Sequence, residues 1–240
     1  MAGSTKVKGI VVSSKDFKDK DKLITLFTLE EGLITASMRS VRGEKAKLKF
    51  AKEIFCFGEY ILENTRGMNI VTQVEIIDNF FGLTGDIEKY YESCALLDIV
   101  NKTAGAQADA KLFIALLKAL KALCYEKVKR FYVLNKFLIK IFTELGYSFI
   151  TTKCSSCGAK LSGVKYLNLD IGELVCPACR NNMCVQISET CYAGLKILDN
   201  TDFEKLQSIK LAVGSELECY KLLEKNFEWR FGKRFMSMNI

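Results

Sequence analysis

Four of the ten cysteines in this 240-residue chain form two close pairs, and this pattern restricts the fold more than any other feature of the sequence. Each pair has the form C-x2-C, and 18 residues separate the pairs. Two residues between thiols let both sulfurs of one turn reach the same ion, and a second such turn completes a tetrahedron. The spacing predicts one structural Zn²⁺ in a ribbon-like insertion at about residues 150–183, with the ligands Cys154, Cys157, Cys176 and Cys179.

Four thiolates around one zinc ion leave no coordination position for water or substrate, so the predicted site is structural and not catalytic. The same C-x2-C pairs are also compatible with redox chemistry. A redox enzyme would show reversible disulfides in place of bound metal.

The chain contains no histidine, which removes the Ser-His-Asp, Cys-His and HExxH classes of catalytic site. It also lacks the phosphate-binding G-x4-G-K-[ST] motif. An enzyme built from this sequence would need unusual machinery.

Short β-rich runs fill the chain up to about residue 80, and helical periodicity follows. The runs at 8–12, 22–28, 33–38, 54–62 and 69–77 predict five strands, the number of an OB-fold barrel. Apolar residues recur at helical spacing in 87–97, 112–124 and 131–145, and a last helix is expected at about 215–231. We therefore expect an α+β protein with an OB-fold nucleic-acid-binding domain at 1–80 and a helical domain at 81–240 that carries the zinc-ribbon insertion.

The net charge of +7 is concentrated at the two ends of the sequence. Residues 1–50 carry 11 Lys and Arg against 6 Asp and Glu, and residues 225–240 carry 4 against 1. Clustered cations point to a polyanionic partner, most simply nucleic acid, although surface lysines also serve only to keep a protein hydrated.

The strongest basic segment is the connection after the third predicted strand, where one Glu stands among five cations: Arg39, Arg42, Lys45, Lys47 and Lys49. We interpret it as a phosphate-binding segment. Four aromatic residues lie near it or near the preceding connection and are available for stacking on bases: Phe17, Phe50, Phe55 and Phe57. The lysines at 15–22 alternate with aspartates, which favours a hydrated loop.

A second basic patch lies near the C-terminus, where Arg230, Lys233 and Arg234 are interleaved with aromatic residues. Arginine beside aromatic rings can stack on bases or bind phosphates. An amphipathic helix end that buries Trp229 and Phe231 and leaves its cations in water explains the same pattern equally well.

The sequence shows neither a membrane-spanning apolar run nor a secretory signal, so a cytoplasmic protein is expected.

In their order, these features resemble the RecO family of bacterial DNA-repair recombination mediators. The opening strands at 9–12, 20–28 and 31–36 are similar to those of the family, as are Leu145-Gly146-Tyr147 and the basic, serine-containing stretch 232–237. The four zinc cysteines of the family map onto the two pairs described above. The basic family segment maps onto Arg39 and Arg42, although Ser37-Met38 replaces the usual glycine-alanine.

The resemblance implies a non-enzymatic protein that binds single- and double-stranded DNA and anneals complementary strands. It also implies that the protein works with RecR to help RecA replace single-stranded DNA-binding protein (SSB), and that the helical domain docks the acidic SSB tail. From charge and position we assign Lys127, Lys129 and Arg130 to that tail. The composition alone equally allows an OB-fold and zinc-ribbon RNA-binding module of translation or transcription.

Overall fold

Alternating apolar side chains in the first 80 residues close a β-sheet into a barrel. In the computed structural model, which describes residues 4–41, 50–147 and 150–236, the described part of this region holds five strands: β1 (Ser4–Phe17), β2 (Asp21–Thr28), β3 (Gly32–Met38), β4 (Phe57–Thr65) and β5 (Met68–Asp78). Their order is β1-β2-β3-β5-β4, and β4 pairs again with β1. The β3–β5 pair is parallel and the others are antiparallel. The predicted five-stranded OB-fold barrel is confirmed.

Apolar side chains from all five strands fill the barrel, among them Val7, Ile24 and Leu26. Tyr60 is fully buried, and its hydroxyl lies 3.3 Å from both the Ala51 and the Cys56 carbonyl oxygens, to either of which it can donate. Burial strongly raises the pKa of Tyr60 because the phenolate would lose its hydration. The barrel interior is therefore a packed core.

Two strands of the barrel differ in extent from the sequence predictions. The predicted first strand, 8–12, extends over Ser4–Phe17, and its register against β2 shifts between Val11 and Ser13. The predicted fourth strand, 54–62, begins only at Phe57 because Phe55 adopts a positive φ of 74°. Where the connection from β2 enters β3, Gly32 has a φ of 71°, a conformation that favours glycine.

Five helices lie in the described part of the chain: α1 (Ile87–Thr103), α2 (Ala110–Tyr125), α3 (Tyr132–Glu144), α4 (Glu189–Asp199) and α5 (Ser215–Phe231). The Asp86 carboxylate accepts the Glu88 and Lys89 N–H groups at the start of α1, and Ser188 caps α4 by accepting the Cys191 N–H. Gly146 follows α3 with a φ of 85°, the left-handed conformation typical of a glycine just after a helix. None of these described helices is long and apolar enough to span a bilayer.

A small antiparallel sheet lies between α3 and α4 along the chain. Its strands are β6 (Lys165–Asn168), β7 (Glu173–Val175) and β8 (Cys184–Ile187), in the order β7-β6-β8. This sheet forms the insertion that the cysteine spacing predicts.

The chain forms two compact units, Met1–Leu120, here called unit 1, and Lys121–Ile240, here called unit 2. The barrel and α1 belong to unit 1, and the small sheet with α3, α4 and α5 belongs to unit 2. The predicted boundary near residue 80 stays a prediction.

Candidate metal centre and nucleic-acid surface

The four predicted ligands Cys154, Cys157, Cys176 and Cys179 lie together in the insertion. Their sulfur atoms are all within 4.8 Å of one another, and the Sγ atoms of Cys157 and Cys176 are 3.8 Å apart. Cys154 is buried and Cys157 is exposed, while the second pair is half-buried. The cluster therefore lies at the surface with one thiol turned inward.

Backbone hydrogen bonds hold the two cysteine turns against β7. The Gly158 N–H donates to the Cys154 carbonyl at 2.9 Å, which closes the first turn, and the Ser155 N–H donates to Leu174 in β7 at 3.0 Å. Pro177 begins a short 3-10 helix, Pro177–Cys179, that forms the second turn. The first pair thus lies beside β7, and the second pair follows β7 directly in the chain.

The protein environment favours a thiolate at Cys154. Burial alone would raise the pKa of this thiol, but N–H donors outweigh it and lower the pKa to about 6. One of these donors is the Cys176 N–H, 3.3 Å from the Cys154 sulfur. The Cys179 thiol donates hydrogen bonds to neighbouring sulfurs, chiefly that of Cys157, and these bonds stabilise the protonated thiol and raise its pKa to about 12.

This donor set fits a soft divalent metal ion. Four sulfur atoms that converge within 4.8 Å, one of them already stabilised as a thiolate, can hold one ion with no ligand from outside the chain. Cys184 is not part of the cluster. Its sulfur accepts the Asn181 N–H and its thiol donates to the Asn181 side-chain oxygen, each at 3.3 Å.

Of the five cations after β3, the structure describes only Arg39, an exposed residue in the turn that follows the strand. The Ser40 N–H donates to the Asp21 carboxylate at 2.9 Å and fixes this turn beside β2. The other predicted phosphate ligands, Arg42, Lys45, Lys47 and Lys49, lie outside the described residues.

The lysines at 15–22 belong to the β1–β2 hairpin, whose strands extend further than predicted. Lys22 lies 3.2 Å from the Asp16 carboxylate, and Lys18 lies over the Phe17 ring. Mixed charge and these local contacts agree with the interpretation of a hydrated hairpin.

Arg230 in the C-terminal patch is engaged within unit 2. Its guanidinium lies 3.6 Å from the centre of the Tyr147 ring and donates to the Leu169 carbonyl at 3.1 Å. The guanidinium also occupies the space where Gly172 would carry a Cβ. These contacts connect α5 to the loop between β6 and β7, so they favour a packing role; the predicted DNA contact of Arg230 stays a prediction.

The other two cations of this patch are exposed. Arg234 donates to the Glu228 carboxylate at 2.7 Å, whereas Lys233 extends from the turn after α5. Phe235 is buried and packs edge-on against Phe227, with ring centres 5.1 Å apart. The alternative that the helix end buries Trp229 and Phe231 is wrong for Trp229, which is exposed by 48%, and Phe231 is half-buried.

The residues assigned to the SSB tail lie in the connection before α3. Lys127 and Lys129 are exposed and Arg130 is half-buried, with its guanidinium 4.8 Å from the centre of the Phe131 ring. Phe131 itself is buried and stacks on Tyr220, so it offers little surface to a peptide. The assignment stays a prediction.

The structure separates the four candidate stacking residues. Phe55 and Phe57 point into the protein, Phe17 is half-buried, and Phe50 is exposed by 57%. Sequence reasoning missed Phe81, which is exposed by 76%, and Tyr90; both line a pocket with Phe50. The sequence carries only the aromatic pair Phe80-Phe81 shortly after β5, and it does not show which of the two rings is exposed.

Two family models match the chain, Recombination protein O N terminal over residues 1–80 and Recombination protein O C terminal over residues 84–239. A DNA repair protein RecO of Clostridium novyi (strain NT) is 29% identical over 238 residues, which cover 98% of this chain and 92% of the relative. The DNA repair protein RecO of Clostridium perfringens (strain 13 / Type A) is 27% identical over 217 residues, which cover 89% of this chain and 87% of the relative. With both parts of the sequence matched and the barrel and cysteine cluster in place, the chain belongs to the RecO family of DNA repair proteins.

Proposed function

We propose that this protein is a recombination mediator that binds single- and double-stranded DNA, anneals complementary strands and, with RecR, helps RecA replace SSB. Contact with the SSB tail would bring it to coated strands in the cytoplasm, at the nucleoid. The observation that carries the proposal is the RecO match over both 1–80 and 84–239, on a chain whose first part is a closed OB-fold barrel.

The DNA contact proposed here is electrostatic. Segment 39–49 places five cations and one Glu directly after a barrel strand. Cations that neutralise phosphates release condensed counterions, which supplies most of the sequence-independent affinity for nucleic acid. Arg39 is exposed at the start of this segment, which supports its part in the contact.

For the cysteine cluster we propose one structural Zn²⁺, held by Cys154, Cys157, Cys176 and Cys179. A bound ion would cross-link the two cysteine turns and add stability to the small sheet. Four protein sulfurs complete a tetrahedral shell, so the proposal gives the ion no catalytic part.

We further propose that the protein is not an enzyme. The chain has no histidine to act as a base, and a binding protein that brings two strands together needs none.

The test of the DNA contact is the salt dependence of affinity for a labelled single strand. If the five cations at 39–49 contact five phosphates, the logarithm of the association constant should fall with log salt at a slope of roughly −3.5. Replacing all five by alanine should flatten the slope almost completely. A control variant with the same change of charge replaces five exposed lysines elsewhere: Lys121, Lys205, Lys210, Lys221 and Lys225.

An equal loss of slope in both variants would contradict a specific contact at 39–49. A clear preference for RNA in competition, with no SSB binding, would favour an RNA-binding module instead.

A further inference from the structure

A pocket of about 420 Å³ opens on unit 1 beside the end of β5. Its wall is aromatic, with Phe50, Phe55, Phe81 and Tyr90 among the lining residues. Phe50 and Phe81 are exposed by 57% and 76%, values unusual for rings of this size. The volume lies in the range of sites that hold a small, flat ligand.

The rigid side of this pocket is held in place by its backbone and by ring packing. Phe55 packs edge-on against Tyr90, with ring centres 5.8 Å apart, and its N–H donates to Val11 in β1. Phe55 and Phe80 have φ angles of 74° and 47°, a left-handed conformation that bulky residues rarely adopt. Such conformations persist where the surrounding structure enforces them and are frequent at ligand sites.

Phe50 and Lys52, which follow the basic segment in the sequence, both line the pocket. The ammonium group of Lys52 donates a hydrogen bond to the carbonyl of Val41 at 2.9 Å. Phe50 follows Lys49 directly in the sequence. A polyanion bound by these cations would find an exposed ring at the adjacent residue, Phe50.

The partner that matches both properties is a single strand of nucleic acid. Its phosphates suit the cations, and its unpaired bases offer flat apolar faces that stack on phenylalanine. A duplex hides those faces in its own stack, and an acidic peptide without rings would leave the aromatic wall unused.

We propose that this pocket binds an unpaired base of single-stranded DNA, which stacks on the exposed rings of Phe50 and Phe81. The inference rests on the proposed DNA-binding function and adds to it a base contact besides the phosphate contacts. The protein then distinguishes single strands from duplex DNA through the aromatic pocket, while segment 39–49 binds both.

The test compares the affinity of Phe81→Ala and wild-type protein for a labelled oligothymidine and for an abasic strand of the same length. Because the Phe81 ring is exposed, Phe81→Ala should fold as the wild type does. Ile87→Ala is the control, since Ile87 is 71% exposed on α1 but does not line the pocket. Loss of one stacking contact should weaken oligothymidine binding by about 5- to 150-fold. Abasic-strand binding, the salt slope and the Ile87→Ala variant should be unchanged.

Two results would overturn the pocket proposal while wild-type protein still binds DNA. Phe81→Ala with wild-type affinity for oligothymidine would assign the exposed rings to a protein partner, and an equal loss on both strands would mean that the ring acts without stacking on a base. If wild-type protein binds neither strand, the proposed function itself fails.

Discussion

Replacing Gly172 by alanine is expected to destabilise unit 2 mainly by displacing Arg230. Gly172 lies in the loop between β6 and β7 with a φ of 69°, and a Cβ at this position would overlap the Arg230 guanidinium. The displaced guanidinium would lose the Tyr147 ring and the hydrogen bond to Leu169. The effects of the Gly172 and Arg230 substitutions on the free energy of unfolding should therefore not be additive.

The expected magnitudes follow from these contacts. A left-handed conformation costs a non-glycine residue about 1–2 kcal/mol. A half-buried charged hydrogen bond together with a cation–π contact contributes about 2 kcal/mol. Gly172→Ala should thus lower the free energy of unfolding by about 3–4 kcal/mol and Arg230→Ala by about 2 kcal/mol, by the same principles. The double variant should be no less stable than Gly172→Ala alone, because the Arg230 contacts are lost only once.

The free energies of unfolding are measured by urea titration with the fluorescence of Trp229 as the signal. Trp229 is the single tryptophan of the chain and precedes Arg230 in α5. Additive effects of the two substitutions would refute the argument. The DNA affinity of the folded Arg230→Ala variant shows whether Arg230 also contacts DNA. Unchanged affinity supports a packing role alone, whereas a loss of affinity with wild-type stability would support the DNA contact.

Three further predictions concern other parts of the protein. Serine at any one of the four clustered cysteines should abolish the single bound zinc measured by elemental analysis, while Cys124→Ser, outside the cluster, should keep it; full zinc content in all four cluster variants would contradict the site. The free energy of unfolding should fall as the pH rises above about 10, because Tyr60 ionises only after unfolding, and Tyr60→Phe should reduce this dependence in urea titrations. Alanine at Lys127, Lys129 and Arg130 together should weaken binding of an SSB-tail peptide in calorimetry, and unchanged affinity would place the tail elsewhere.

The elements with a regular hydrophobic period could be predicted from the sequence. The helix expected at about 215–231 is α5, Ser215–Phe231, because its apolar spacing and flanking glycines act locally. The cysteine cluster could be predicted too, since each C-x2-C turn can direct both of its sulfurs to one ion and two such turns supply four ligands.

Features that depend on tertiary contacts could not be predicted in this way. The late start of β4 follows from the positive φ of Phe55, which the N–H bond to Val11 in β1 maintains. Likewise, the partners of Arg230 lie 58 to 83 residues earlier in the chain, so local sequence gives no indication that this cation is engaged. The exposure of Phe81 beside buried Phe80 also becomes visible only in the folded protein.

The central claim, that this protein is a recombination mediator, is tested most directly by annealing of complementary single strands that carry a donor and an acceptor dye. The strands are coated first with cognate SSB and then, in a parallel reaction, with SSB that lacks its tail. We predict efficient energy transfer with intact SSB and a marked loss with the tailless form. Absence of annealing with both forms would contradict the claim.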